Sequence, residues 1–457
     1  MKIIYFFYFF SFAIRTKIYT LIKGYLQRKA SWEILLKVSS GIYSDHALEK
    51  VLKNYEFNSL DIAFITELSF GCIRYRKFLD LWIDHTSKLS HIKQPPKLRW
   101  LLHIGLYQLL KMDKIPFSAA ISSTVEVAKK TDLKGLAGTV NAILRNTVRN
   151  IEKEHVPKIS SDEIERLSSL ESLPIWLVKE IVNWVGIKEA KNIAKAFNKK
   201  PSIDLRINSL KTDLNKFLNE LAECNINATA ISQLKNGIAL NSNPRSIKKL
   251  PGYSDGLWVV QDRSSQWVAP LLNPMKGEKI LDACSAPGSK TTHLAQLAND
   301  DAEILAVDRS EKRLKILQSN LERLNIKSVK TLKADATNLV DIQPNLISYF
   351  DKILIDAPCS GIGTLARNPD SRWSLSKDKI NQLILLQERL LESVLPLLKR
   401  NGTLVYSTCT ICPEENNFLI KRFLTKNKEI KLDSEKQILP KFDEPGDGFY
   451  AAKISYK

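Results

Sequence analysis

Two cysteines follow apolar runs that read as buried strands, Cys359 in Lys352-Ile-Leu-Ile-Asp-Ala-Pro-Cys359 and Cys409 in Thr403-Leu-Val-Tyr-Ser-Thr-Cys409. Ligands and chemistry collect at the carboxyl ends of strands in a parallel α/β sheet, so two thiols there point to a nucleophile and a helper. Four strands of this region end at or near an aspartate: Asp282, Asp308, Asp335 and Asp356. An acid after the second strand can accept both hydroxyls of a ribose, and a glycine-bearing turn after the first lets the backbone approach a ligand closely. That turn is Cys284-Ser285-Ala286-Pro287-Gly288-Ser289-Lys290. It carries neither the dinucleotide fingerprint nor the phosphate loop ending in Gly-Lys-Ser/Thr, so a phosphate-free nucleoside fits better. S-adenosylmethionine is the expected cofactor, with Cys284 to Lys290, Asp308, Asp335 and Asp356 as the expected binding residues.

Positioning these groups requires a sheet, and from Gly277 onward strand and helix alternate as in a doubly wound parallel sheet. The expected strands are Lys279–Cys284, Glu303–Asp308, one leading to Asp335, Phe350–Asp356 and Thr403–Thr408, with a long helix over 379–398. Upstream, residues 27–155 read as an all-helical bundle. Apolar residues recur at three- and four-residue spacing around Trp32–Val38, Ile62–Leu68 and Trp100–Leu110, and Ser44-Asp45 is an expected amino cap. Its Arg74, Arg76, Lys77, Arg145 and Arg149 are candidate phosphate contacts. A polar stretch near 156–173 reads as a linker. Residues 165–265 then form a small α+β unit, in which Arg206, Asn208 and Lys211 either meet a nucleic-acid backbone or serve the fold, and 266–457 make up the α/β domain.

The 457 residues are too many for one ordinary domain. A formal charge of +19, from 68 Lys plus Arg against 49 Asp plus Glu, favours a polyanionic partner, with nucleic acid first. Six cysteines in a chain this long form no disulfide framework and fit a reducing cytoplasm. Cys409 and Cys412 spell C-x-x-C, yet no second such pair or paired histidines complete a zinc site, and no metal is expected. The aromatic run over 1–13 breaks at Arg15 and Lys17 and is too short to span a bilayer. Residues 1–26 are read as an extension of uncertain role, and no membrane association is expected.

Taken together, Asp282-Ala-Cys-Ser-Ala-Pro-Gly-Ser-Lys-Thr291, Val307-Asp-Arg-Ser-Glu-Lys-Arg313, Asp356-Ala-Pro-Cys-Ser-Gly361, Arg367-Asn-Pro-Asp370 with Trp373, and Ser407-Thr-Cys409 with Pro413-Glu-Glu-Asn416 resemble the RNA cytosine-C5 methyltransferases. Within these, the chain is similar to the bacterial Sun/Fmu (RsmB) type, which acts on small-subunit (16S) ribosomal RNA. The likeness extends to the helical segment, which is similar to the antitermination factor NusB, and to Gly446-Asp-Gly-Phe-Tyr450. It implies a NusB-like bundle, a small α+β domain and a Rossmann-like methyltransferase domain with a mostly parallel seven-stranded sheet, in a cytoplasmic monomer that binds RNA. The family usually has glycine where this chain has Ser289, and often lacks a cysteine at the place of Cys412.

Cytosine C5 is a poor nucleophile, so a thiolate must first add at C6, and an acid near N3 must stabilise the developing charge. Asp356 is the expected acid. Spacing leaves the attacking thiol open, because DNA cytosine-C5 methyltransferases use a Pro-Cys cysteine, which would nominate Cys359. The resemblance to the RNA family instead implies attack by the Thr-Cys cysteine, Cys409, with Cys359 serving product release. Lys290 either positions substrate or Asp356 or is a surface charge, and Gly361, Arg367, Asn368 and Pro369 are expected to frame the target base. Two other readings share these residues: a methyltransferase of transfer RNA or another RNA, and a non-enzymatic RNA-binding ribosome-assembly factor.

Overall fold

A computed structural model describes residues 24–242, 244 and 246–457. The expected extension over 1–26 therefore lies outside the described residues up to position 23. Contacts divide the chain into two compact units, one holding residues up to 182 together with 368–373, the other holding 183–367 and 374–457.

The first unit is helical: Tyr25–Ser39, Ser44–Leu52, Ser59–Arg74, Arg76–Thr86, Pro96–Lys111, Phe117–Lys129, Ala137–Glu152 and Glu163–Leu170. Pro96–Lys111 buries every residue from Trp100 to Leu109, His103 and Gln108 included, as expected of a helix at the centre of a bundle. Its Leu102, Ile104 and Leu106 share one core with Leu68, Trp82 and Leu144. Two readings from the residues change here. The stretch expected to be a linker contains the helix Glu163–Leu170, whose amino end is capped by the Asp162 carboxylate accepting from Glu165 N at 2.8 Å. Ser44 is the first residue of its helix rather than its cap. Its backbone N–H and hydroxyl both donate to Asp370, at 3.0 and 2.9 Å, so a carboxylate far along the chain satisfies that helix end.

Asp370 lies in the segment 368–373, which packs with the helical residues, so Asn368 and Pro369 fall in a different unit from the loop they were expected to complete. Arg372 is fully buried and donates to Arg74 O and Ser172 O, and the Trp373 indole donates to Ile73 O at 2.7 Å. Arg76 stacks its guanidinium over Trp100 and Trp373, and Lys77 donates to the Ser168 hydroxyl. Of the five basic residues singled out in this unit, only Arg145 and Arg149 remain exposed.

The second unit holds two sheets. The small one runs β2-β3-β1-β4, built from β1 (Ile203–Ile207), β2 (Ala228–Ala230), β3 (Gly237–Leu240) and β4 (Trp258–Val260), all pairs antiparallel. The helix Leu214–Glu223 lays Phe217 and Leu221 into a core with Leu205, Ile207, Ile238 and Trp258. The large sheet contains β5 (Lys279–Asp282), β6 (Glu303–Asp308), β7 (Val329–Lys333), β8 (Phe350–Asp356), β9 (Leu398–Thr408), β10 (Ile430–Ile438) and β11 (Phe449–Tyr456), in the order β10-β11-β9-β8-β5-β6-β7. Pairs from β9 to β7 are parallel, and β11 is antiparallel to both its neighbours. Ile353-Leu354-Ile355 and Leu404-Val405-Tyr406 are wholly buried, as strands covered on both faces must be.

Arg206 and Asn208, weighed as nucleic-acid contacts, are fully buried and belong to the fold. From β1, the Arg206 guanidinium donates to Ser289 O at 2.6 Å, Thr292 Oγ1 at 2.9 Å and Gln296 Oε1 at 3.1 Å, and also to Gln261 Oε1. It thereby ties the small sheet to the helix Ser289–Leu297. In the helical unit, Asp370→Ala is expected to cost the Ser44–Leu52 helix about 1 kcal/mol. Amide exchange across that helix should quicken roughly fivefold while β5 to β9 stay unchanged.

Candidate active site

Glycine at 288 is demanded by geometry. Its φ of +108° places it in the left-handed region, and a Cβ there would lie 2.2 Å from Leu317 Cδ1. The turn it closes delivers the chain from β5 into the helix Ser289–Leu297 and forms one wall of a cavity of about 290 Å³. Cys284, Ala286 and Pro287 line it from the turn, joined by Asp308, Asp335, Asp356, Cys359 and Cys409 from the strand ends. Leu386 and Leu390, one turn apart on the helix Lys377–Val394, add an apolar side.

Asp308 is fixed on this wall: its carboxylate accepts from Ser310 N at 2.8 Å and Ala286 N at 3.2 Å, and pairs with Arg313 at 3.4 Å. Arg313 also donates to Ala286 O, bracing the turn. Asp335 caps the next turn through Thr337 N at 3.0 Å. Asp282 does not line the cavity. It is buried behind it, accepts the Thr291 hydroxyl at 2.7 Å, and burial pushes its carboxyl up to about 7.

A second cavity of about 330 Å³ is lined by Gln261, Asp262, Ser289, Lys290, Thr364, Arg367, Asp447 and Phe449. Asp356, Ala357 and Cys409 line both cavities, whereas Cys359 lines only the first. The register of β8 against β9 sets Asp356 opposite Ser407. Ser407 Oγ donates to Asp356 Oδ1 at 3.0 Å, and Lys290 Nζ lies 2.7 Å from Oδ2 and 4.9 Å from the Phe449 ring centroid. One strand-end carboxylate is thus held by a hydroxyl and an ammonium.

The two sulfurs, Cys359 Sγ and Cys409 Sγ, stand 3.3 Å apart. The hydrogen bond shared with Cys409, followed by burial, pushes the Cys359 thiol well above its usual range. Cys412 is buried elsewhere, with its Sγ 3.1 Å from Glu414 Oε2. Arg367 bridges two carboxylates on the second cavity's wall, Asp447 at 2.6 Å and Asp262 at 2.5 Å. Burial, and then the neighbouring Asp262, push the Asp447 carboxyl up to about 7.

Of the expected cofactor residues, Cys284, Ala286, Pro287, Asp308, Asp335 and Asp356 meet around the first cavity. Ser289 and Lys290 line the second, while Ser285 and Gly288 shape the turn, the Ser285 hydroxyl donating to Val307 O at 3.1 Å. Leu386 and Asp262 escaped the reading of the residues, and Arg313 and Asp447 entered it only within quoted motifs, with no role of their own. Arg313 had a local signal, three residues beyond the helix-capping Ser310. Asp262 had none, and Asp447 none beyond its place in the Gly446–Tyr450 motif, because the two meet only through the tertiary fold.

Family comparisons divide the chain in three. Residues 269–455 match the 16S rRNA methyltransferase RsmB/F family, 26–149 the NusB family, and 173–247 the RsmF/B-like ferredoxin-like domain. A probable ribosomal RNA small subunit methyltransferase B of Synechocystis sp. is 41% identical over 390 residues, covering 85% of this chain and 86% of that protein. The chain belongs to the RsmB/F methyltransferase family. Its ribosomal RNA small subunit methyltransferase B from Proteus mirabilis is 35% identical, covering 94% of this chain and 99% of that one. The crystal structure of PH0851 superposes with a TM-score of 0.79 at 26% identity, covering 94% of this chain and 98% of the other. The helical bundle, the small α+β domain and the mostly parallel seven-stranded sheet expected of an RNA methyltransferase of this family are all present, the α+β domain matching a ferredoxin-like family. Among the described residues no helix is long and apolar enough to cross a membrane.

The buried Asp282 makes a pH prediction. Its carboxyl titrates near 4 when the chain is unfolded and about 7 when folded, so its favourable contribution is present below about pH 4 and fades as pH rises through about 7. Asp282→Asn, which can still accept from Thr291, should lose less stability across that window than the parent when denaturation midpoints are measured at a series of pH values.

Proposed function

We propose that this protein transfers a methyl group from S-adenosylmethionine to C5 of a cytosine in 16S ribosomal RNA, through a covalent bond between Cys409 and C6 of the base. The observation carrying this reading is the place of Cys409, on the shared wall of two cavities and beside both a second thiol and a lysine-paired carboxylate. A nucleophile so placed faces a base in one cavity and a methyl donor in the other.

The first cavity suits S-adenosylmethionine. Asp308 offers a carboxylate, fixed by two backbone N–H groups, to ribose hydroxyls. Leu386, Leu390 and Pro358 supply apolar contact for a purine, and Asp335 an acceptor for its amine. Bound there, the cofactor supplies an electrophilic methyl on a sulfonium. The protein's own groups do the rest. Cys409 adds as thiolate to C6, and the pair Asp356–Lys290 stabilises charge arising at N3 and O2, which leaves C5 electron-rich. After methylation the C5–H bond breaks, its electron pair re-forming the C5–C6 double bond and expelling Cys409 as thiolate. Cys359, with its sulfur 3.3 Å from that of Cys409, serves that release by passing its thiol proton to the departing sulfur and, as thiolate, taking the C5 proton.

A target base must leave its stack to enter the second cavity, which favours a loop or single-stranded site, and the NusB-like bundle favours ribosomal RNA as the substrate. Labelled methyl transfer to naked small-subunit ribosomal RNA should be detected, followed by mapping of the new mark at C5 of cytosine. Folded protein that transfers nothing would refute the enzymatic reading. Cys409→Ala should yield no covalent protein–RNA complex on a denaturing gel, whereas Cys359→Ala should accumulate one, and the opposite pattern would reverse the two roles. Asp308→Ala should raise the cofactor concentration for half-maximal rate about tenfold to a hundredfold, as loss of charge-assisted hydrogen bonds does.

A further inference from the structure

The mechanism above leaves unused a carboxylate with no exposed surface, Glu415, behind the two cysteines. A buried carboxylate is costly unless fully hydrogen-bonded. Glu415 accepts from Ser360 N at 2.8 Å, from the Ser360 hydroxyl, and from Gln387 Nε2 at 2.9 Å. Those donors are not scattered. Ser360 directly follows Cys359, and the same Gln387 amide donates to Pro358 O at 2.9 Å, directly before it.

The Ser360 hydroxyl lies 2.7 Å from that of Thr410, which directly follows Cys409. Asn416, next to Glu415, accepts from Thr408 Oγ1 at 2.7 Å and donates to Thr410 O at 3.0 Å, so it holds the residues on both sides of Cys409. Ser360, Gln387, Thr408, Thr410 and Asn416 are all buried, which shields the bracket from competing water.

We propose that Glu415 is a positioning residue that fixes the Cys359 thiol against the Cys409 thiol, by binding the chain around one cysteine directly and the chain around the other through Ser360 and Asn416. The proposal rests on the cysteine roles given above. Attack and release both need a fixed distance between two sulfurs that follow separate strands, β8 and β9. The bracket supplies the constraint from behind, leaving both sulfurs open to the cavities.

The test begins without RNA or cofactor, by alkylating the intact protein with iodoacetamide and following each cysteine by peptide mass spectrometry. Glu415→Gln places an amide donor against existing donors, and an unpaired buried group of that kind corresponds to a change of about fivefold or more in a local opening equilibrium. Alkylation of both Cys359 and Cys409 should quicken by that factor, with Cys284, which lines the same cavity outside the bracket, unchanged. In methyl transfer, kcat should fall about tenfold while KM for RNA and for S-adenosylmethionine stays within about twofold. Alkylation at both cysteines and kcat each within about twofold of the parent would overturn the proposal. Should Glu415→Gln not fold, Ser360→Ala removes the bridging hydroxyl alone and is read in the same way. A parent that transfers no methyl group counts against the proposed reaction, whereas unchanged alkylation counts against the bracket.

Discussion

The parallel pairing of β8 with β9 is the constraint on which the site depends. It sets Asp356 opposite Ser407, and the chain then turns outward from both strands at the same level, so that Cys359 and Cys409 emerge side by side. Parallel neighbours deliver their carboxyl ends to one edge of the sheet, and that edge is where the fold can bring residues fifty positions apart into contact without a helix or loop of its own. Slipping the register by one residue would turn Asp356 to the opposite face and part it from Lys290.

Around this edge the structure uses charge sparingly. Lys290, Arg313 and Arg367 each pair with carboxylates on a cavity wall. Arg206, by contrast, is buried with neutral partners only, and desolvation lowers its guanidinium to about 9. The high positive charge of the chain is therefore not what builds the pocket. It is available on surfaces elsewhere, where phosphates can meet it.

Much of this was legible in the residues. Buried strands announce themselves as unbroken apolar runs, which is why β5, β6, β8 and β9 could be read directly, together with the aspartates and cysteines at their ends. β10 had no such signature: most of its residues are exposed, and its pairing with β11 is a product of the folded sheet. Glu163–Leu170 was hidden because a short polar helix with a modest apolar stripe looks like a linker. Arg206 was left open between two roles for a simpler reason, since an arginine's burial depends on acceptors that arrive from distant segments, and here those were Ser289 O, Gln261 and Gln296. Asp262 and Asp447 share that fate, for their chemistry exists only once Arg367 stands between them.

The excursion of residues 368–373 bears on how this protein could be taken apart. Arg367 lines the second cavity, yet the next six residues pack among the helices, with Arg372 fully buried and Trp373 hydrogen-bonded there, before the chain resumes the second unit at Ser374. The methyltransferase portion is consequently not a cassette. Cutting the chain ahead of it would strand a buried guanidinium and an indole without their acceptors, so any minimal version, and any lineage that shed the helical bundle, would have to rewrite the segment between Arg367 and Ser374 as well.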